Sequence, residues 1–315
     1  MSRLRRSPDD FSSLETAIDT IERDGAAPAT VEPLSDLSIS EARYLRGRWS
    51  ALPVSLRQQI VALMATLGDE DVRFNFERAL HVALSDSEPE VRLAGVVALW
   101  EAESTSLLDA LLDIVDDESS ERVRIAIVEA LGRFARLAME GRISEDQQQR
   151  VNQKLVDIAL NETDEDVWLA ALAAAAYLRS PALESRIFQT YDEGHDEARE
   201  IALRAMGRYG GSQWASRVID SIRAGDTDQR TEAARAAPYV DDRRVVPYLY
   251  EAAEDDEEAD LQLAAVAALG EIGGPEVRSF LEELRDSTTG DVSLAAETAL
   301  ANAQLLDGVG DASPI

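Results

Sequence analysis

Side chains that do chemistry at neutral pH are imidazoles, thiols, paired carboxylates or clustered cations, and this sequence is short of the first two. Its histidines are His81 and His195, and it has no cysteine. A histidine metal site needs several convergent ligands. His81 precedes Val82 and His195 precedes Asp196, far apart in the chain, and both read as ordinary polar histidines. The lack of cysteine excludes disulfides, thiolate catalysis and Cys-ligated zinc or iron–sulfur sites. The run Glu254-Asp255-Asp256-Glu257-Glu258 with Asp260 has the charge to attract calcium. It lacks the spacing and central glycine of an EF-hand loop. It reads as a solvated cluster, with docking of a basic partner as the alternative. Arg186, Arg217, Tyr248 and Phe280 recur at one register and form a candidate protein-contact row. The stretch with Arg43, Tyr44, Arg46, Arg48 and Trp49 is the most cationic aromatic patch, and it serves either binding or the packing of a chain end. No catalytic residue, cofactor ligand or metal ligand is assigned.

The elements that must hold these residues are helices. Alanine and leucine dominate, aromatics make up 5%, and glycine and proline are modest in number, a composition that favours helix over sheet. Net charge is −30. Such a surface repels phosphate backbones and anionic membranes, so neither nucleic acid nor membrane is expected as a partner. The excess lies beyond residue 60, because residues 1–60 carry eight arginines and nine acids. Lys154 is the one lysine. An acidic, lysine-poor surface suits a salty cytoplasm, and a GC-rich genome explains the preference for arginine equally well. No apolar stretch approaches the ~18 residues of a membrane span. Met1–Arg6 is basic without an apolar segment after it, which argues against a signal peptide. The expected location is cytoplasmic.

The sequence repeats itself. Pro89-Glu90-Val91-Arg92-Leu93-Ala94 is echoed by Arg122-Val123-Arg124-Ile125-Ala126, Asp166-Val167-Trp168-Leu169-Ala170 and Asp260-Leu261-Gln262-Leu263-Ala264. Anchors at 91, 123, 167, 198, 229, 261 and 292 are spaced by 32, 44, 31, 31, 32 and 31. The long interval is one repeat plus a 12-residue insertion. Sixteen residues after an anchor a second helix begins, at Leu107, Leu183, Trp214, Val245 and Val277. Apolar stripes at i, i+4 and i+8 follow, as in Leu107/Leu111/Val115, or Val151/Leu155/Ala159 after the insertion; this is the period of an amphipathic helix. Gly210-Gly211, Asp241-Asp242, Gly273-Gly274-Pro275 and Ser180-Pro181 supply the turns between paired helices. Ser87, Ser119-Ser120, Thr163-Asp164, Asp226-Thr227 and Thr288-Thr289 supply caps between repeats.

An earlier pair is expected from Leu56-Arg57 and from Val72, whose helix carries Phe76 and Leu80. Helices over Asp10–Arg23 and Ser40–Ala51 cover the open end of the stack, with residues 24–39 as a linker. The insertion, roughly Arg136 to Arg150, reads either as a projecting binding loop or as a lengthened helix pair. A last single helix runs from Asp291 to Leu306. The divisions are therefore 1–33, N-terminal helix and linker; 34–306, the repeat array, with 53–306 the clear repeats and 137–150 the insertion; and 307–315, a disordered tail.

Repeats of 31–32 residues with Asp/Glu-Val-Arg, a following alanine, Leu-Gly, a glycine-rich turn and a second apolar helix resemble the short HEAT repeats of the phycobilisome-lyase type. The resemblance covers residues 53–306. It implies an all-α, right-handed α-solenoid of about eight helix pairs, in a family made mostly of scaffolds and adaptors with a few enzymes. The residues that would mark the enzymes are missing. The His-Glu pairs of the di-iron hydroxylases are absent. Two cations, Arg186 and Arg217, are thin for the cationic groove of the DNA glycosylases. No cysteine or aromatic cluster suits a bilin lyase.

Two further features belong to the stack. Alanines at 94, 98, 126, 130, 170, 174, 202, 205, 233, 264 and 268 let first helices approach closely. The residue after the anchor is Arg57, Arg92, Arg124, Arg199 and Arg230, interrupted by Trp168, Gln262 and Ser293. The resemblance implies that this ladder bridges to acids of adjacent repeats; an anion-binding row is the alternative. The expected function is a non-enzymatic scaffold or adaptor that binds protein on its inner face, without a cofactor. An enzyme or enzyme-associated subunit is the alternative. Partner identity and oligomeric state are not encoded in any motif.

Overall fold

The structure, a computed structural model, describes residues 11–254 and 258–310. Among the described residues there are helices and no strands. The chain divides into two compact bodies, Met1–Lys154 and Leu155–Ile315.

The N-terminal body begins with α1 (Ser12–Asp24), α2 (Pro28–Val31), a 3-10 turn (Glu32–Leu34) and α3 (Ile39–Trp49). Helix pairs follow: α4 (Val54–Glu70) with α5 (Glu77–Ala83), α6 (Pro89–Ala98) with α7 (Thr105–Ile114), and α8 (Glu121–Met139) with α9 (Glu145–Asn161), which carries the boundary. First helices pack side by side, α4 on α6 and α6 on α8. The stretch 24–39 is more than a linker. Val31, Leu34 and Leu37 are buried, and α2 lies on α4. Val72 is also displaced from its expected role. It is 99% exposed, because nothing breaks α4 before Asp71. The partner helix starts at Glu77, whose N–H is accepted by Asn75 Oδ1 at 3.0 Å.

The insertion adopts the second of its two readings. α8 continues to Met139 and α9 starts at Glu145, so most of residues 137–150 lengthens a helix pair. Ser144 and Gln147 cap the new start reciprocally, at 3.2 and 3.3 Å. Only a short turn containing Gly141 (φ 69°) separates the two helices.

The C-terminal body contains α10 (Glu165–Ala175), α11 (Pro181–Glu193), α12 (Asp196–Tyr209), α13 (Ala215–Ala224), α14 (Thr227–Ala236), α15 (Val246–Ala253), α16 (Ala259–Ile272), α17 (Pro275–Ser287) and α18 (Asp291–Gly310). First helices α10, α12, α14, α16 and α18 pack in succession, and α11, α13, α15 and α17 each lie against the first helix that follows. Among the described residues there are thus seven helix pairs and a closing single helix across the two bodies. Residues 307–310, expected in a disordered tail, continue α18; residues 311–315 lie outside the described residues.

The periodic residues build the core. Val91, Val123, Val167, Ala198 and Leu261 are at most 1% exposed, as are Leu107, Val151, Leu183, Trp214, Val245 and Val277. No pair can hide such stripes alone, so each repeat is stable only against its neighbours. Asp164 and Asp226 accept the N–H groups of Val167 and Gln229. Gly210, Gly211, Gly273 and Gly274 turn the chain at positive φ, where a Cβ is strained. Glycine also sets the closest helix approach. A Cβ on Gly207 would stand 3.0 Å from Ala236 Cα, and one on Gly270 2.7 Å from Ala299 Cα. Of the expected small positions, Ala130, Ala174, Ala202, Ala205, Ala233, Ala264 and Ala268 are buried; Ala94, Ala98, Ala126 and Ala170 are half-buried.

Candidate functional site

The arginine ladder does two structural jobs. Its first is toward acids further along the chain. Arg57 pairs with Asp86, and both are buried. Arg92 grips Glu118 with Nε and Nη2 at 2.6 Å each. Arg230 reaches Glu258 at 2.7 Å. The second job is backward, toward a helix C-terminus, where carbonyls lack intrahelical donors and favour cations. Arg199 Nε donates to Tyr191 O at 3.2 Å, and Arg230 Nε to Ile222 O at 3.0 Å. Gln262 and Ser293 keep this backward bond, to Ala253 O and Arg285 O. They cannot supply a charge for the forward one. Arg124 is half-buried at the same register.

Of the forward acids, Glu258 belongs to the acidic run, whereas Asp86 and Glu118 fall in no motif. Asp86 and Glu118 stand five residues before the anchors at 91 and 123, and each also accepts a loop N–H, from Glu88 and from Ser120, at 2.8 Å. One carboxylate thereby ties the arginine of one repeat to the entry of the next. Burial raises the Glu118 pKa, but the bonds from Arg92 and the Ser120 N–H outweigh it, and the net shift is downward.

The contact row lies on the second helices of the C-terminal body, every member half-buried. Arg186 on α11 stacks on Trp168 with its guanidinium 4.0 Å from the ring centre. Arg217 on α13 holds Asp192 with two bonds, at 3.0 and 2.7 Å, and lies 4.5 Å over Phe188. The Arg217 hydrogen bond depresses the Asp192 pKa. Phe280 on α17 packs on Tyr250 at 4.3 Å between centroids. Tyr248 on α15 has Arg223 at 5.5 Å and lines a cavity of about 310 Å³ with Ile222, Arg223, Arg230, Glu251 and Ala252. Each row residue is therefore fixed by a residue of its own or an adjacent repeat. None of these supports was visible in the register alone.

The remaining candidates are structural. His195 is the N-cap of α12, its Nδ1 accepting the Ala198 N–H at 3.4 Å. His81 lies 3.7 Å from Glu77, and burial lowers its pKa. Trp49 is buried and donates to Asp86 at 2.6 Å. Arg48 bonds Asp19, Glu22 and Tyr44, and Tyr44 stacks on Phe11 at 5.1 Å, so this patch packs the chain's beginning. In the acidic run, 255–257 lie outside the described residues. Among the described residues no three His, Cys, Asp or Glu side chains group as an ion site, and no helix is long and apolar enough to cross a membrane.

The family model described as HEAT repeats matches residues 51–132 and 215–301, more than half of the chain. The chain belongs to the HEAT-repeat family. No curated protein matches it. Among solved structures, YibA of Escherichia coli is 15% identical, with 80% of this chain and 98% of that chain covered at a TM-score of 0.44. Human deoxyhypusine hydroxylase in complex with glycerol is 18% identical, with 93% and 99% covered at a TM-score of 0.33. Neither likeness is close enough to carry an argument about activity. Within this HEAT-repeat chain, the ladder ions are committed to joints between repeats. The second helices of the C-terminal body carry two arginines and two aromatic rings, each half-buried against a neighbour.

Proposed function

We propose that this chain is a non-enzymatic scaffold or adaptor that binds a protein partner, with Arg186, Arg217, Tyr248 and Phe280 as its contact row. The observation that carries the reading is their common state: four half-buried arginine or aromatic side chains on successive helices, each braced from its own body. Arginine and tyrosine are the residues over-represented where binding energy concentrates. Bracing reduces the side-chain entropy lost on association. One position earlier, exposed Ser185, Ser216, Pro247 and Ser279 leave room for a partner's backbone to approach. A charge of −30 disfavours nucleic acid and anionic membrane as ligands, and a cytoplasmic protein is the partner this surface suits.

The test is affinity capture with mass spectrometry, followed by titration of the purified partner against the wild-type chain and against Arg217→Ala and Tyr248→Ala. Both variants should keep the wild-type circular dichroism and lose about tenfold or more in affinity. A partner that binds both as tightly as wild type, or turnover of a small molecule by the purified chain, would overturn the reading.

A further inference from the structure

A second cluster in the C-terminal body is built at a different register, on α12, α14 and α16 and on the 3-10 turns Ala176–Leu178 and Ala237–Tyr239 that follow α10 and α14. Tyr177, Arg208, Tyr239 and Glu271 follow one another at intervals of 31, 31 and 32 residues. Arg208 on α12 donates Nη1 to Ala173 O at 2.9 Å and lies 5.6 Å from the Tyr177 ring centre. Tyr239 is 51% exposed and sits beside Gly207 of the same helix. Its phenol is bonded to Glu271, which with burial pushes its pKa up to about 12. Arg208 thus lies by the Tyr177 ring, and the tethered Tyr239 packs beside Gly207, the chain neighbour of Arg208.

One turn earlier on α12, Arg204 holds Glu232 of α14 with Nε and Nη2, at 3.3 and 3.2 Å. Arg235, also on α14, reaches the same carboxylate oxygen at 2.7 Å. Glu232 is only 8% exposed, whereas the Arg204 and Arg235 side chains are 44% and 58% exposed. Two guanidiniums therefore share one embedded carboxylate, and Arg208 stands one turn further along α12. Glu200 is the next acid on α12, and burial together with Asp228, Asp226, Glu197 and Glu232 favours its neutral form. A guanidinium has five N–H donors. Arg204 spends donors on Glu232, Arg208 one on Ala173, and Arg235 one on Glu232, so each retains donors for a ligand.

We propose that Arg204, Arg208 and Arg235, with Tyr177 and Tyr239 beside them, form a second docking surface that takes an acidic segment of a protein partner. Charge complementarity selects the occupant. On a chain of net charge −30, a carboxylate is repelled nearly everywhere, and here it meets an excess of forked donors suited to bidentate bonding. Spacing refines it. Residues four apart on a helix stand ~5–6 Å apart at Cβ, and alternate side chains of an extended chain lie on one side ~6.6 Å apart. Two acids separated by one residue match Arg208 and the Arg204–Arg235 pair, and the tyrosine rings cover apolar neighbours. The proposal rests on the reading of the chain as a protein-binding scaffold, but not on the second-helix row.

The experiment uses the full chain and a fluorescein-labelled ten-residue peptide carrying a single Glu-Val-Glu, read by fluorescence anisotropy at low and high salt. Saturable binding that weakens with salt is expected. It should fall at least about tenfold in Arg208→Glu and in the double change Arg204→Glu, Arg235→Glu. Arg244→Glu, at an exposed side chain outside the cluster, should leave it unchanged. Arg235→Glu alone keeps the reading independent of folding, because that side chain is largely outside the packing. No binding, equal binding of a Gln-Val-Gln peptide, binding only after phosphorylation, or wild-type affinity in the patch variants would each overturn the proposal. Failure of the capture experiment would leave this measurement standing.

Discussion

Replacing Gly270 by alanine adds one methyl group where two first helices touch. The new Cβ would lie 2.7 Å from both Cα and Cβ of Ala299 and 2.9 Å from its carbonyl oxygen. Carbon atoms attract best at about 3.5–4.0 Å, so α16 and α18 must separate locally by ~1 Å. The obstacle is backbone, which cannot swing aside as a side chain tip can. Overpacking of this kind costs about 1–3 kcal/mol. Alanine returns at most about 1 kcal/mol of helix propensity, and less here, since α16 ends at Ile272. The net expectation is a loss of about 1–2 kcal/mol. Gly47→Ala is the control. Nothing stands within 4 Å of its would-be Cβ, so propensity acts alone and, equally near the end of its helix, should stabilise by less than about 1 kcal/mol. Thermal melts followed by helical circular dichroism should move in opposite directions for the two variants. A Gly270→Ala melt at or above wild type would show that the helices do not meet as closely as described.

Three other outcomes follow from the ions. Asp86→Ala leaves Arg57 buried without its carboxylate and Trp49 without its acceptor; it should cost about 3–5 kcal/mol in denaturant titration, and a neutral result would refute the joint. Glu118 has a native pKa below its ordinary value of 4.5. Its contribution is therefore complete above that value and is lost as pH falls through the native one. Glu118→Gln should flatten the acid limb of stability against pH, and an unchanged limb would count against the pair. Glu200 has the opposite sign, its pKa raised by burial first and then by neighbouring acids. The charged form is disfavoured in the fold, so Glu200→Gln should raise the melting midpoint at pH 7. That gain should vanish below pH 4.5, and a lowered midpoint at neutrality would contradict the assignment.

The repeat was legible because burial imposes it. Every position that faces the core returns after 31 or 32 residues, so anchors and stripes could be read by spacing alone. The caps Asp164 and Asp226 were legible for a similar reason, each standing three residues before its anchor. What failed was local punctuation. Val72 fits the spacing of a helix start, yet α4 runs past its expected end and Asn75 supplies the cap instead. The insertion contains no proline, and helix simply propagates through most of it. The candidate site was half visible. The row 186, 217, 248 and 280 shares a register, but Trp168, Asp192 and Tyr250 beneath it belong to other registers. Arg204 and Glu232 lie 28 residues apart on different helices, and only packing brings them together. The forward acids at 86 and 118 sit at a fixed offset and could have been found, had loops been aligned as well as helices.

The replacement of arginine by Gln262 and Ser293 governs how the C-terminal body responds to salt. Arg230 meets Glu258 as a pair of opposite charges, which salt screens. Gln262 and Ser293 make neutral bonds to the Ala253 and Arg285 carbonyls, which salt does not screen. At high salt the joint before α16 therefore keeps only its neutral side-chain bond, while the joint between α17 and α18 loses nothing.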